Sequence, residues 1–170
     1  LIEKLKQHDW QGAVVGPHGV GKSTLLEALL RLASPAKRIL RVAFHNGRTT
    51  PGWQQLIAAP LGPDTLVVVD GYEQLSPWQR WRLLRRTRAQ RAGLLVTSHH
   101  PTLLPTLAEL APSLQVAQQI CRLLIAEGPT LVTPADVDLA FCRRKGNFRD
   151  MLLDLYDLHE RRIRTQPQAN

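Results

Sequence analysis

The sequence Gly12-Ala-Val-Val-Gly-Pro-His-Gly-Val-Gly-Lys-Ser23 joins a short apolar run to a glycine-rich turn and then to a helical pattern. Residues 12–15 have the length and apolarity of a buried strand. From Lys22 to Ala33, leucines recur on one broad face, which is typical of a helix that packs on one side. Ser34-Pro35 then ends the helix. The order strand, turn, helix predicts the beginning of an α/β sheet.

The same alternation continues along the first two thirds of the chain. Further strands are predicted at Arg38–Phe44, Leu66–Asp70 and Gly93–Ser98, separated by helices at about 53–58 and 76–91. Ser76-Pro77 is a typical helix start, with serine as the N-cap and proline at the first helical position. Strands that alternate with helices at this spacing predict an α/β fold with three layers, a parallel sheet covered on both faces.

After Pro112 the pattern changes to helices, predicted at about 116–126, 134–144 and 147–164. Residues 113–116 are the one further stretch that would suit a strand. We therefore expect a core of residues 1–114 and a small helical subdomain of residues 115–170.

The glycine-rich turn has the pattern Gly-x-x-x-x-Gly-Lys-Ser between a strand and a helix, which is the context of a phosphate-binding loop. Backbone N–H groups in such a loop point at phosphates, and the helix dipole favours negative charge. Lys22 is expected to reach the β- and γ-phosphates, and the Ser23 hydroxyl to bind Mg²⁺. The predicted nucleotide contacts are Gly16, Pro17, His18, Gly19, Val20, Gly21, Lys22, Ser23 and Thr24.

Asp70 ends a strand that is apolar up to that residue, so it is expected at the edge of the sheet where ligands bind in open α/β folds. There it would hold Mg²⁺, directly or through water. Many phosphate-loop ATPases carry a glutamate directly after this aspartate, but Gly71 occupies that position here. Glu73 takes the water-positioning role if the turn folds back, and otherwise it is a solvated carboxylate.

The fourth predicted strand ends in Thr97-Ser98-His99-His100. A polar side chain at this point can contact the γ-phosphate or the attacking water. Thr97 or Ser98 is the candidate for this sensing role, and His99 is a candidate for approaching the γ-phosphate. The alternative for His99 is a simple turn before Pro101.

Together these motifs resemble the additional-strand division of P-loop ATPases, in which the strand order is 5-1-4-3-2. The segment Lys145-Gly-Asn-Phe-Arg-Asp-Met-Leu152 is similar to part of the helical lid of AAA+ ATPases. The resemblance implies that Arg149 is a sensor reaching the γ-phosphate and that residues 115–170 form a short lid. The alternative for Arg149 is a surface side chain paired with Asp150 or Asp154.

Two departures from the AAA+ pattern restrict this resemblance. Residues 97–115 contain no arginine, although ring-forming members commonly carry an arginine finger near there, and the lid is short. Both disfavour a standard hexameric unfoldase or helicase, and the choice between a monomer and a nucleotide-dependent assembly stays open. No Asn-Lys-x-Asp motif for guanine is present, so ATP is the expected nucleotide.

The chain is basic, with 22 Lys and Arg against 14 Asp and Glu and a formal net charge of +8. Six arginines crowd the helix that follows Asp70, between Arg80 and Arg91. This helix would suit a nucleic-acid or protein partner, although a solvated face is the plainer explanation. No apolar run approaches the ~20 residues of a membrane span, and the N-terminus lacks a signal core. With Cys121 and Cys142 expected as reduced core residues, we predict a cytoplasmic protein.

The leading hypothesis is a Mg²⁺-dependent ATPase whose nucleotide state switches the lid and a partner. One alternative is a small-molecule or nucleotide kinase, with arginines from Arg48, residues 80–91 or residues 143–149 closing on the phosphates. Another is an ATP-regulated nucleic-acid-binding module with little turnover.

Overall fold

The computed structural model describes residues 1–44, 50–125 and 131–165, and the chain forms two compact units. The first unit comprises Leu1–Gly16 and Lys22–Leu110. The second comprises Pro17–Gly21 and Ala111–Asn170, so the tip of the glycine-rich loop clusters with the C-terminal part of the chain. The predicted functional division at residue 114, into a nucleotide-binding core and a lid, remains a prediction.

The first unit is built on a sheet of five parallel strands. The strands are β1 at Gln11–Val15, β2 at Arg38–Ala43, β3 at Thr65–Asp70, β4 at Gly93–Ser98 and β5 at Thr106–Glu109. Their order across the sheet is β2-β3-β4-β1-β5, which is the order implied by the family resemblance, read from the opposite edge.

The prediction of a strand at residues 113–116 is wrong, because the fifth strand lies earlier, at Thr106–Glu109. Ser113 instead begins a helix, and its carbonyl accepts a hydrogen bond from the Ala117 N–H at 3.0 Å. The observed strand is a four-residue edge strand in which Leu107 is the one buried residue. Such a short stretch carries little periodic signal.

Helices cover both faces of this sheet, which confirms the predicted three-layer α/β fold. On one face, α1 (Ile2–Gln7) and α2 (Lys22–Ala33) pack against the sheet through a cluster that includes Leu26, Leu29 and Val14. On the other face, α3 (Thr50–Ala58) and α4 (Pro77–Ala89) pack against the sheet through a cluster that includes Leu56, Leu83, Val67 and Val96.

The two central strands β3 and β4 are buried along their whole length. Their apolar residues face both helical layers, as expected for a parallel sheet. Both strands end in polar residues, Asp70 on β3 and Thr97-Ser98 on β4. Since parallel strands share one carboxyl edge, the fold brings these polar groups to the edge from which the glycine-rich loop also leaves β1.

The helical part of the second unit consists of α5 (Leu114–Ile125), α6 (Pro134–Arg143) and α7 (Phe148–Thr165). Their shared core includes Ala117, Val137, Met151 and Leu155. Thr133 and Asp136 form a reciprocal capping box at the start of α6. Hydrogen bonding to the Arg162 guanidinium, with help from Thr133, holds the pKa of Asp136 well below its usual range.

Two smaller points concern the residues outside these cores. Cys121 is buried, as expected, but Cys142 is exposed, so the prediction of a core position for Cys142 is wrong. Within the three described ranges, no helix is both long enough and apolar enough to cross a membrane.

Candidate functional site

The glycine-rich loop connects the end of β1 to the first residue of α2, as its sequence predicts. The Gly16 N–H donates a hydrogen bond to the Ser98 carbonyl at 3.1 Å, which ties the start of the loop to β4. Gly19 and Gly21 have φ values of 75° and 94°, where only glycine is comfortable. The first turn of α2 carries no acidic residue, so its N-terminus is suited to an anion.

Lys22 is the first residue of α2, and its ammonium folds over the loop that precedes it. The Lys22 Nζ donates a hydrogen bond to the Gly16 carbonyl at 2.7 Å. Burial lowers the pKa of Lys22, while the negative charges of Glu73 and then Asp70 oppose that shift. One cation and two carboxylates therefore gather where the polar ends of β3 and β4 meet the loop.

Asp70 is buried, and β4 fixes its carboxylate through a single hydroxyl. The Thr97 Oγ1 donates a hydrogen bond to Asp70 Oδ1 and accepts one from the Gly71 N–H at 2.9 Å. This hydroxyl thus orients both the aspartate and the turn that follows it. Thr97, one of the two residues predicted as a sensor, holds Asp70 in place in this structure.

Gly71 cannot be replaced by a larger residue without moving the backbone. Its φ is 85°, and a Cβ placed on it would lie 2.4 Å from the Phe44 carbonyl oxygen. The position directly after Asp70, at which many P-loop ATPases carry a glutamate, is therefore sterically closed to any side chain in this chain. The left-handed turn at Gly71 leads directly into a 3-10 turn at Tyr72–Gln74.

This 3-10 turn folds Glu73 back toward the cluster, which is the condition set above for a water-positioning role. Glu73 Oε1 lies 3.4 Å from His99 Nδ1, and both side chains are less than one fifth exposed. The other oxygen, Glu73 Oε2, is buried and accepts no hydrogen bond from the residues described. A buried carboxylate oxygen with no donor is costly unless a ligand or water supplies one.

Arg80 holds the turn that carries Glu73, a role that the sequence did not reveal. Its guanidinium donates to the Glu73 carbonyl at 2.7 Å and to the Leu75 carbonyl at 2.8 Å, and it lies 5.6 Å from the centre of the Tyr72 ring. Helix side chains lean toward the helix N-terminus, so an arginine one turn inside α4 reaches the preceding turn. The N-cap predicted at Ser76 puts Arg80 in the first turns of α4, and from that position its reach to the preceding turn could have been predicted.

The polar residues at the end of β4 contact protein groups in this structure. The Ser98 hydroxyl accepts a hydrogen bond from the His100 N–H at 3.3 Å, and its carbonyl serves Gly16. His99 is the residue of this segment that faces Glu73. The sensing roles of Thr97, Ser98 and His99 remain predictions. Of the three, His99 is the residue that contacts the Glu73 carboxylate.

In the second unit, the tip of the loop contacts the residues that begin α7. The Phe148 N–H donates a hydrogen bond to the Gly19 carbonyl at 3.1 Å. A Cβ placed on Gly19 would lie 1.8 Å from Asn147 Oδ1, so the Asn147 side chain packs directly on this glycine. Asn147 also caps α7 by accepting a hydrogen bond from the Asp150 N–H at 3.2 Å.

Arg149 lies in the first turn of α7, directly after the two residues that touch Gly19, and it is exposed. The alternative of a surface ion pair would need Asp150 or Asp154. Asp154 instead binds Arg144 through two hydrogen bonds of 2.6 and 2.7 Å, and Asp150 bonds to Asn147. Arg149 has no such partner in the ranges that the structure describes.

The remaining loop residues differ in exposure. Val20 is buried and Ser23 half-buried, whereas Pro17, His18 and Thr24 are exposed. Arg48, the most N-terminal arginine considered for a kinase, lies outside the described residues. For a metal, Ser23 and Asp70 offer a hydroxyl and a carboxylate. Mg²⁺ prefers oxygen ligands and commonly takes only one or two from the protein beside phosphate oxygens and water, so this donor set fits it.

The parallel sheet, the glycine-rich loop before α2 and Asp70 at the end of β3 together define a P-loop nucleotide-binding fold. Among solved structures, a RuvB mutant from Thermotoga maritima is similar, with a TM-score of 0.62 and 15% sequence identity. The match covers 88% of this chain but only 56% of the RuvB chain. At this identity the likeness shows the fold alone. No family model and no curated protein matches the sequence.

Proposed function

We propose that the chain is a Mg²⁺-dependent ATPase of the additional-strand, AAA+-like division of P-loop proteins. The observation that carries this proposal is Glu73, which is close enough to Lys22 for its negative charge to oppose the lowering of the lysine pKa. Its half-buried carboxylate has one buried oxygen, Oε2, that accepts no hydrogen bond from the described residues. The fold likeness to RuvB, a P-loop ATPase, supports the class at a coarse level. The absence of a guanine-reading Asn-Lys-x-Asp motif favours ATP.

The loop and α2 supply the phosphate-binding half of the site. Backbone N–H groups of residues 18–23 surround the phosphates, and the Lys22 ammonium moves from the Gly16 carbonyl to the β- and γ-phosphates. Ser23 and Asp70 would hold Mg²⁺, and the bound ion would supply positive charge to offset the charge on the phosphate oxygens. Thr97 keeps the Asp70 carboxylate in one orientation while the ligand exchanges.

Glu73 supplies the water-positioning half. A water that donates to Glu73 Oε2 is held for attack on the γ-phosphorus, and the carboxylate accepts its proton as the bond between phosphorus and the β–γ bridging oxygen breaks. ADP and inorganic phosphate are the products. His99 orients Glu73 from one side, and Arg80 holds the backbone of its turn from the other.

Arg149 and the start of α7 connect the bound phosphates to the helices of the second unit. Phe148 and Asn147 contact the loop tip, and this contact supports the proposal that the next residue, Arg149, binds phosphates held by residues 17–21. A change from ATP to ADP would then alter the contacts of α7 and switch the helical unit and any partner it holds. Such coupling is the use that the short lid of the resemblance implies.

The test is a nucleotide panel in which binding and phosphate release are measured with and without Mg²⁺ and without any acceptor. We expect ATP to be bound and cleaved only with Mg²⁺, and Lys22→Ala to lose nucleotide binding. Turnover that appears only after an acceptor is added would show a kinase instead. ATP binding without any turnover would favour a nucleotide-regulated binding module.

A further inference from the structure

The solvent-exposed side of α4 carries two tryptophans among arginines. We call Trp78, Trp81, Arg82, Arg85 and Arg88 the Trp–Arg face. Trp78 and Trp81 are each 55% exposed, although they are among the largest apolar side chains in the protein. Two neighbouring indoles left half in solvent on one helix are unusual, because burial would remove a large apolar surface from water.

The members of the Trp–Arg face are paired along the helix. The Arg82 guanidinium lies 5.0 Å from the centre of the Trp78 ring, and Arg85 lies 5.4 Å from Trp81. Both pairs are four residues apart, the spacing at which helix side chains meet. Each guanidinium is therefore held beside an indole by a cation–π contact.

The other two arginines of α4 do not belong to this face. Arg80 binds the turn of Glu73, and Arg86 is half-buried and donates to the Leu56 and Ala59 carbonyls. The sequence pattern did not separate these two arginines from the others of the helix, for which a solvated face was the plainer explanation; in the structure Arg86 is not solvated in that way. Arg86 instead ties α4 to α3 and so fixes the helix that presents the Trp–Arg face.

Among the described residues, no carboxylate forms an ion pair with Arg82, Arg85 or Arg88. The α4 sequence Pro-Trp-Gln-Arg-Trp-Arg-Leu-Leu-Arg-Arg-Thr-Arg-Ala contains five arginines and no carboxylate. Helix α3, which packs beside it through Trp53 at 6.2 Å from Trp78, contains no charged residue at all. The surface thus presents a concentrated positive field with planar apolar rings inside it, and it favours a polyanion that also has planar groups.

We propose that the Trp–Arg face binds single-stranded nucleic acid, with bases stacked on Trp78 and Trp81 and phosphates bound by Arg82, Arg85 and Arg88. Stacking needs an accessible base face, which a single strand offers and a duplex hides between its pairs. An acidic protein segment would satisfy the charges, but it would leave the indoles without planar partners. The two ring–arginine pairs therefore favour the nucleic acid.

The first test is fluorescence anisotropy of a labelled oligothymidylate with the full chain at low salt and without nucleotide. We expect Trp78→Ala with Trp81→Ala to weaken binding by about tenfold or more, because stacking on an aromatic side chain contributes roughly that much per base. Trp78→Phe with Trp81→Phe should retain most of the affinity, since phenylalanine also stacks. Circular dichroism of each variant shows whether the fold is kept.

The second test is the salt dependence of the same binding. Replacement of Arg82, Arg85 and Arg88 by alanine should reduce the slope of log affinity against log salt by about 2, at roughly 0.7 per phosphate on a single strand. The matched control replaces three exposed arginines elsewhere, Arg31, Arg122 and Arg161, which removes the same charge. That control should keep most of the slope and most of the affinity.

Three results would overturn the proposal: equal losses in the two triple variants, equally tight binding of a duplex of the same length, or displacement of the oligonucleotide by polyglutamate. Lys22→Ala should bind the oligonucleotide as the unaltered chain does. Loss of nucleotide binding at the P-loop and loss of oligonucleotide binding at the Trp–Arg face can therefore be distinguished.

Discussion

Gly71 decides which carboxylate can reach the loop lysine. Because its Cβ position is filled by the Phe44 carbonyl and its φ is positive, no glutamate fits directly after Asp70. The chain places Glu73 there instead by a 3-10 turn. The missing glutamate was visible in the sequence, but its cause was not, because Phe44 is distant along the chain and meets Gly71 only once β2 and β3 are paired.

Tyr72, inside the same turn, gives a prediction for the pH dependence of stability. Burial raises the pKa of Tyr72 to about 12, with the positive charge of Arg80 opposing the shift. Between the ordinary value of about 10 and this raised value, the unfolded chain loses the phenolic proton while the folded chain keeps it. The Tyr72 contribution to the free energy of unfolding should therefore be full below pH 10 and be lost toward pH 12.

This prediction is measured by urea denaturation between neutral pH and pH 12. Tyr72→Phe should remove part of the alkaline decline in stability. The matched control is Tyr156→Phe, since Tyr156 is 62% exposed and is the chain's other tyrosine. If both variants follow the unaltered chain through the alkaline range, the account of Tyr72 is wrong.

At the residue scale, the sequence identified the functional residues that belong to a recognisable motif. It missed those whose role depends on a contact with another part of the fold. Lys22 and Asp70 lie at fixed positions relative to a loop and a strand end, so their placement follows from the fold class. Arg80 was grouped with the other arginines of its helix, because periodicity reports which side of a helix a residue occupies and not how far its side chain reaches back. The sequence predicted a helix start at residue 147, but it did not predict that the Asn147 side chain packs on Gly19.

At the scale of elements, the strands and helices with strong patterns were predicted nearly to their ends. The strands β3 and β4 are long apolar runs, and α4 and α6 begin at serine and threonine caps followed by proline. The strand β5 was missed because it is short, lies at the edge of the sheet and buries only Leu107. A pattern of one buried residue cannot be distinguished from a loop.

The capping box of α6 gives a prediction at this scale. Thr133→Ala removes the side chain that accepts from the Asp136 N–H and should lower the free energy of unfolding by about 1 kcal/mol. Thr133→Asn, which keeps a capping side chain, is the matched control and should cost much less. Urea denaturation at neutral pH measures both, and an equal loss in the two variants would contradict a capping role.

At the scale of the whole molecule, the glycine-rich loop contributes residues to both compact units of the chain. Its ends belong to the unit built on the sheet, while residues 17–21 cluster with the unit that contains α5–α7. The loop tip is held there by the Phe148 N–H and by Asn147. A ligand that rearranges the loop must therefore rearrange contacts made by the start of α7, which is the physical basis of the proposed coupling.

Alanine substitutions at two glycines of the loop distinguish the cost of this packing from the cost of backbone strain. Gly19 and Gly21 both have positive φ, so alanine at either should cost about 1 kcal/mol or more from the backbone alone. A Cβ on Gly21 meets nothing within 4 Å, whereas one on Gly19 collides with Asn147. Gly19→Ala should thus lower the free energy of unfolding by at least about 1 kcal/mol more than Gly21→Ala, measured without nucleotide.

A second variant checks that the excess arises at Asn147. Asn147→Gly keeps an acceptable N-cap at a cost of a few tenths of a kcal/mol and removes the side chain that an alanine at position 19 would meet. In that background the difference between Gly19→Ala and Gly21→Ala should shrink. An undiminished difference would mean that the loop tip does not pack on Asn147 in solution.

The most direct test of the ATPase account is a single-turnover measurement of γ-phosphate cleavage in the unaltered chain and in Glu73→Gln, with ATP affinity measured on the same samples. Glutamine preserves the shape of the side chain but cannot accept the proton of the attacking water. We expect unchanged ATP affinity and cleavage slowed by about 100-fold or more, the contribution typical of a general base. Cleavage at the unaltered rate would remove Glu73 from the mechanism and contradict the central claim.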